Sequence, residues 1–219
     1  MTIHVGIIPD GSRRWSRDKG ISLQEGYEVA LRRLSELLVC GYKNHQIGEF
    51  SIYLLSRENL KRSTSDLEAL YGALDTIVNE VWLFLVKEHK ISVKHAGTLD
   101  QFPSYLRKSW EKLLSVSAKE CDGMSSPLKL NVLLNYSPID EVTQAVSRNS
   151  ESVFENLWVN SPVDLVIRTG GVSLLSNFLP LQSGYAIIWT SDKLFNDFTI
   201  LDLEDAIHHL KSIKHLYGS

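Results

Sequence analysis

The chain has 219 residues, 43% hydrophobic and 22% charged, and its 26 acidic and 23 basic residues leave a formal net charge of −3. That balance excludes a general nucleic-acid binder, which carries a basic excess, and Cys40 with Cys121 are too few for a disulfide framework or a cysteine-rich zinc site. No run approaches the ~20 apolar residues of a membrane span, and the opening Met1-Thr2-Ile3-His4-Val5 is no signal sequence, so a soluble, cytoplasmic chain forming a single domain over 1–219 is expected.

Residues 3–9 are a β-rich apolar run closed by Pro9, Asp10 and Gly11, which predicts a first strand. Ser22-Leu23-Gln24-Glu25 has the spacing of a capping box and opens a helix that runs to about Cys40. Residues 49–55 predict a second strand. Ser65-Asp66-Leu67-Glu68 reads as another capping box. Behind it Leu67, Leu70, Tyr71, Leu74, Val78, Val81, Trp82 and Leu85 recur at helical spacing. Further strands are predicted at 91–95, 128–134, 164–167 and 185–189, and helices at 101–119 and 202–216. The segment 149–161 is the least patterned, with room for a short surface helix.

Strands alternating with helices predict right-handed βαβ units and a mostly parallel central sheet surrounded by helices, an α/β fold. The unbroken apolar triplets Val132-Leu133-Leu134 and Leu165-Val166-Ile167 fit strands covered on both faces.

Ligands of such sheets bind at the carboxyl ends of the strands, where three polar constellations fall. Pro9-Asp10-Gly11-Ser12-Arg13-Arg14-Trp15 offers a carboxylate for a divalent metal, two guanidiniums for phosphate oxygens and a helix start for an anion; a turn with a solvated basic pair fits the same spacing equally. Ser56-Arg57-Glu58-Asn59-Leu60-Lys61-Arg62, read alone, is a solvated loop. Arg168-Thr169-Gly170-Gly171, followed by Ser176-Asn177-Phe178, is a stronger signal. A strand-end arginine needs a partner, and paired glycines can make an anion nest. The histidines show no metal-ligand spacing, and His208, His209 and His215 fit a solvated helix face. Tyr71, Trp82 and Phe84 are by default core, although an aromatic-walled groove beside a phosphate site suits a hydrocarbon-tailed diphosphate.

In this order, Asp10-Gly11 with Arg14-Trp15, Ser56 with Glu58-Asn59 and Arg62, Asn135-Tyr136, and residues 164–171 with Ser176-Asn177-Phe178-Leu179 resemble the cis-prenyltransferase family typified by undecaprenyl diphosphate synthases. Residues 9–16, Gly20-Ile21-Ser22-Leu23, Gly26-Tyr27 and Asn177-Phe178-Leu179-Pro180-Leu181 look most like its lavandulyl-type irregular branch. The resemblance implies a prenyltransferase acting on prenyl diphosphates of C5–C15 length, a homodimer, and an apolar tunnel between the long helix and the sheet. It implies an allylic diphosphate held by Gly11, Ser12, Arg13, Arg14, Asn59 and Arg62, with Asp10 and Arg14 catalytic, Mg²⁺ on Asp10, and a second diphosphate at Arg168 and Ser176.

Departures from the family pattern cluster at that second site. Val172 stands at a glutamate position, Leu174 at an arginine, Ile187 at a metal-binding glutamate, and Leu216-Tyr217-Gly218 at an arginine-x-glycine pattern. In the first loop Ser12 and Arg13 replace asparagine and glycine, and Leu23 and Tyr27 replace an arginine and a histidine. Three activities fit: irregular coupling of short prenyl units, a single-substrate cyclase or diphosphate lyase, and a non-catalytic subunit. The first is the expectation, because Asp10 and Arg14 are kept with Arg168 and Ser176.

Overall fold

Six parallel strands form one sheet in the computed structural model, which describes residues 2–44, 47–125 and 128–213. The strands are β1 (Ile3–Ile8), β2 (Ile47–Ser56), β3 (Ile91–Ala96), β4 (Leu128–Tyr136), β5 (Leu165–Arg168) and β6 (Ile187–Thr190), in the order β3-β4-β2-β1-β5-β6. Every neighbouring pair is parallel, as the alternation of strands and helices predicts. The chain builds leftward from β1 through β2 and returns to β5 on the other side. The crevice at the carboxyl ends of β1 and β5 is therefore the switch point at which such sheets bind ligands.

Side chains alternate across the strands, so β1 sends Val5 and Ile7 to one face and Ile8 to the other. The larger core layer packs α2 (Leu23–Asn44), α3 (Thr64–Ile77), α5 (Ser104–Glu120) and α7 (Ile200–Ser212) over Phe50, Ile52, Val132, Leu134, Leu165 and Ile167. The smaller layer gathers Tyr53, Leu133, Tyr136, Val166, Phe178 and Leu179 on the opposite face. Residues 132–134 and 165–167 are fully buried, matching strands covered on both sides.

The capping box at Ser22 forms as predicted: Glu25 N donates to Ser22 Oγ at 3.2 Å and Ser22 N donates to Glu25 Oε2 at 2.9 Å. At the long helix the cap is instead Ser63, whose side chain accepts from Asp66 N, so α3 begins two residues before the box proposed at Ser65. α3 continues through a π-helical turn at Val78–Trp82 into α4 (Leu83–His89). By length and composition Thr64–His89 qualifies as a membrane span, contrary to expectation. Its Leu70, Tyr71, Leu74, Ile77, Val78, Trp82 and Val86 are buried within the protein core, which accounts for its apolarity.

α1 (Ser12–Lys19) follows Gly11, at the helix start expected there, whereas α6 (Pro138–Arg148) was not expected and starts with Ser137 as cap and proline in the first turn. Within 149–161 only a short 3₁₀ turn, Phe154–Asn156, is present. His208 and His209 are exposed on α7, as expected, whereas His215 and Leu216-Tyr217-Gly218 lie outside the described residues.

Candidate active site

Gly11 is the corner on which the site is built. Its φ of 111° turns the chain from β1 into α1, and a Cβ there would lie 2.7 Å from Leu194 Cδ2, so only glycine fits. The amides at the start of α1 have no acceptor within the helix and carry the positive end of its dipole. Just ahead of them Asp10 is fixed by its backbone. Its N–H donates to Thr169 Oγ1 at 2.9 Å, and its carbonyl accepts from the Thr169 hydroxyl at 2.9 Å and from Phe195 N at 3.0 Å.

Two guanidiniums flank the Asp10 carboxylate. Arg168 Nη2 donates to Oδ2 at 2.9 Å, while Arg14 Nη2 stands 3.7 Å from Oδ1 and donates to Gly170 O at 2.9 Å. Gly170, at φ 86°, is required here as well, because a Cβ would come within 2.6 Å of Arg14 Nη2. The two glycines do not form the anion nest expected of them. Gly170 N donates to Lys193 O at 2.8 Å and Gly171 N to Ser191 O at 3.0 Å, so both donors are spent on the loop after β6.

A cavity of about 380 Å³ opens over this carboxylate. Gly11 and, from the first turn of α1, Ser12, Arg13 and Arg14 line it, with Asn59 and Arg62 from the segment after β2, Arg168 from the end of β5 and Ser176 from the loop after it. Every residue singled out from the sequence for the two diphosphates thus converges on one cavity. The loop after β2, a solvated segment when read alone, is folded here into the 3₁₀ turn Glu58–Lys61. Ser56 Oγ accepts from Asn59 N at 3.2 Å, and Arg62 Nη2, on a side chain that lines the cavity, donates to Asn59 Oδ1 at 2.9 Å. Arg13, largely exposed, lies 3.4 Å from Asp66 Oδ2.

Tyr53 and Leu54 also line the cavity and carry no motif signal; their position at the carboxyl end of β2 is the clue that would have found them. Burial pushes the Tyr53 hydroxyl up to about 12, and it donates to Ser176 O at 3.1 Å. Burial also raises Tyr27, against the pull of the Arg62 and Arg13 charges. Both phenols are therefore neutral donors at neutral pH.

The long helix does not wall this cavity, contrary to expectation. Trp82 turns inward and donates from Nε1 to Ser35 Oγ at 2.9 Å, filling the space beside the sheet, whereas Phe84 is 64% exposed. The apolar and aromatic part of the lining comes instead from Ile8, Tyr27, Tyr53 and Leu54. At the departure positions, Leu174 is 63% exposed and Ile187 packs its side chain against the larger core layer.

Asp10 is the one carboxylate lining the cavity, and no cluster of three or more His, Cys, Asp or Glu side chains that could hold a metal occurs among the described residues. A single carboxylate is a donor set that Mg²⁺ accepts, and Asp10 is the residue that would hold it. Both of its oxygens have a guanidinium nearby, Arg168 Nη2 at 2.9 Å from Oδ2 and Arg14 Nη2 at 3.7 Å from Oδ1.

Comparison with known proteins agrees with this geometry. The prenyltransferase family model described by undecaprenyl diphosphate synthase matches residues 8–218. An isoprenyl transferase of Wolinella succinogenes is 31% identical over 226 residues, covering 98% of this chain and 96% of the relative. One from Campylobacter jejuni is 28% identical over 224 residues, covering 98% and 97%. Among solved structures, a probable undecaprenyl diphosphate synthase from Campylobacter jejuni superposes with a TM-score of 0.78 at 25% identity, over 100% of this chain and 99% of that one. Lavandulyl diphosphate synthase from Lavandula x intermedia, in complex with dimethylallyl diphosphate, superposes with a TM-score of 0.87 at 22% identity over 99% and 98%, a likeness of fold.

Proposed function

The chain belongs to the undecaprenyl diphosphate synthase family of prenyltransferases, and from that premise we propose that its cavity binds one allylic prenyl diphosphate of C5–C15 length and ionises it to form a short, irregular isoprenoid. The observation that carries this reading is the convergence of Asp10, Arg14, Arg62 and the amides at the start of α1 on one cavity. A volume of about 380 Å³ belongs to a small-ligand pocket and suits a short chain.

Ionisation breaks the allylic C–O bond and puts growing negative charge on the departing diphosphate. Arg14 and Arg62, both lining the cavity, meet that charge, and so do the amides at the start of α1. Mg²⁺, held on Asp10 with the diphosphate, supplies further charge neutralisation when bound. The neutral phenols of Tyr27 and Tyr53 line the hydrocarbon side beside Ile8 and Leu54 and add no full charge next to the allylic cation.

The same single cradle supports a second reading, a one-substrate cyclase or diphosphate lyase on this fold, because neither activity needs another anchored diphosphate. We place the protein as a homodimer as well. The exposed Ile139, Leu181 and Tyr185, with the apolar groove between α6 and Pro180, support pairing of two copies.

Incubation with Mg²⁺ and dimethylallyl, geranyl or farnesyl diphosphate, with and without isopentenyl diphosphate, separates these activities. The expected product is short, contains two prenyl units and forms without isopentenyl diphosphate. A hydrocarbon or alcohol from one unit selects the cyclase, and long polyprenyl products overturn the proposal.

A further inference from the structure

We propose that His4 is a proton-sensitive clasp, which holds residues 160–164 against the sheet while neutral and releases them when protonated. The clasp lies toward the amino ends of the strands, and none of its residues lines the cavity. His4, Ser51 and Asn131 are buried on β1, β2 and β4, three adjacent strands. The segment they hold leads directly into β5, the next strand of the sheet.

The partners fix the protonation state of the ring. The Pro162 carbonyl, 2.9 Å from His4 Nδ1, can only accept, so Nδ1 carries the hydrogen. Nε2 then keeps its lone pair, 2.8 Å from Ser51 Oγ. Asn131 Nδ2 donates to Ser51 Oγ at 3.0 Å and to Glu49 Oε1 at 2.7 Å, which leaves the Ser51 hydroxyl hydrogen for His4 Nε2. A second ring proton takes that acceptor away from Ser51, which is fully buried. The charged groups facing the ring are Glu49, with Oε1 4.0 Å from Nε2, Lys129, 3.5 Å from Glu49 Oε2, and Asp164. Burial is the largest influence and lowers the His4 pKa; the two carboxylates raise it and Lys129 lowers it, without reversing the net direction.

The clasp also ties the strand pair that carries Asp10. β1 meets β5 over four residue pairs, Val5–Ile8 against Leu165–Arg168. The Asp10–Thr169 bonds close that ladder at the cavity end. His4 closes it at the other, where His4 N donates to Asp164 Oδ2 at 2.8 Å and Asp164 N donates to His4 O at 3.0 Å. Ser161 Oγ donates to Glu49 Oε1 at 2.7 Å, and residues 160–164 have no helix or strand of their own to hold them.

Amide exchange of His4, Val163 and Asp164 between pH 7 and pH 5, with the histidine ring nitrogens followed by NMR, tests the claim. The wild-type protein, His4→Gln and Ser51→Ala are compared. The expected wild-type result is an Nδ1–H ring at pH 7 and protection of the three amides at least fivefold lower at pH 5, because the released ring takes up its proton near the ordinary value of about 6.5. In His4→Gln, which does not titrate, protection should change less than twofold over the same range. Ser51→Ala removes only the hydroxyl and covers the case of a His4→Gln protein that folds poorly. There the His4 titration should move up toward 6.5, and the pH dependence of protection should shrink. Amides 132–134, at the centre of the sheet, should stay better protected than the clasp at both pH values. An Nε2–H ring, protection at the clasp that does not fall toward pH 5, or clasp amides as well protected as 132–134 overturns the proposal.

Discussion

The Asp10–Arg168 pair makes the choice of substitution matter. Asp10→Ala removes the carboxylate partner of a buried guanidinium and should destabilise the protein by roughly 3 kcal/mol in urea unfolding, whereas Asp10→Asn keeps an acceptor for Arg168 Nη2 and should cost much less. Gly170→Ala should displace Arg14, whose Nη2 lies where the new methyl would sit, and weaken pyrophosphate binding by about tenfold if the lost contact is charge-assisted. His95 shows what the sequence conceals at this scale. Its ring lies edge-on to Phe102 and Trp110, both ring nitrogens are buried without partners, and burial lowers its pKa to about 4. The unfolded chain takes up this proton near pH 6.5 and the folded chain only near 4, so stability is full above pH 6.5 and falls as pH drops toward 4, by roughly 3 kcal/mol. His4, held between Ser51 Oγ and Pro162 O and lowered by burial, acts in the same direction. Thermal melts of His95→Phe, which keeps the aromatic packing, should lose less stability between pH 7 and 4 than the wild-type protein; equal losses would show that another group titrates.

Among the elements, those set by local periodicity were legible and those set by tertiary contact were not. The long helix was readable from its apolar spacing, but its π-helical turn at Val78–Trp82 was not, since no residue in it is a helix breaker; at its end the Trp82 indole donates to Ser35 on another helix, a tertiary contact the local pattern does not show. The start of α3 differs because Ser63 and Ser65 are chemically equivalent caps, and it is Ser63 whose side chain accepts from Asp66 N. α6 had a readable signal in Ser137-Pro138, a cap followed by a first-turn proline. Trp82→Ala should cost about 3–5 kcal/mol, and Phe84→Ser, on the exposed face of the same helix, less than about 0.5 kcal/mol. Equal effects in denaturant unfolding would contradict the inward placement of Trp82.

For the whole molecule, the parallel α/β architecture followed from strand–helix alternation and fully apolar strands, and the strand order did not. No local pattern in β5 says that it lies beside β1, yet that adjacency brings Asp10 and Arg168 within hydrogen-bonding distance. Residues 158 positions apart in sequence were therefore read as parts of two sites, one for each diphosphate, when the fold makes them one. If two copies pair through α6 and the Pro180 loop, Ile139→Glu should shift sedimentation at micromolar concentration from dimer toward monomer. The central claim is that Asp10 takes part in ionising an allylic diphosphate, and release of inorganic diphosphate from dimethylallyl diphosphate by Asp10→Asn tests it most directly. A fall of about 10²–10³ in kcat, with the fold and thermal stability near those of the wild-type protein, is predicted from the loss of one charge-stabilising contribution in the transition state. Release at the wild-type rate would contradict it.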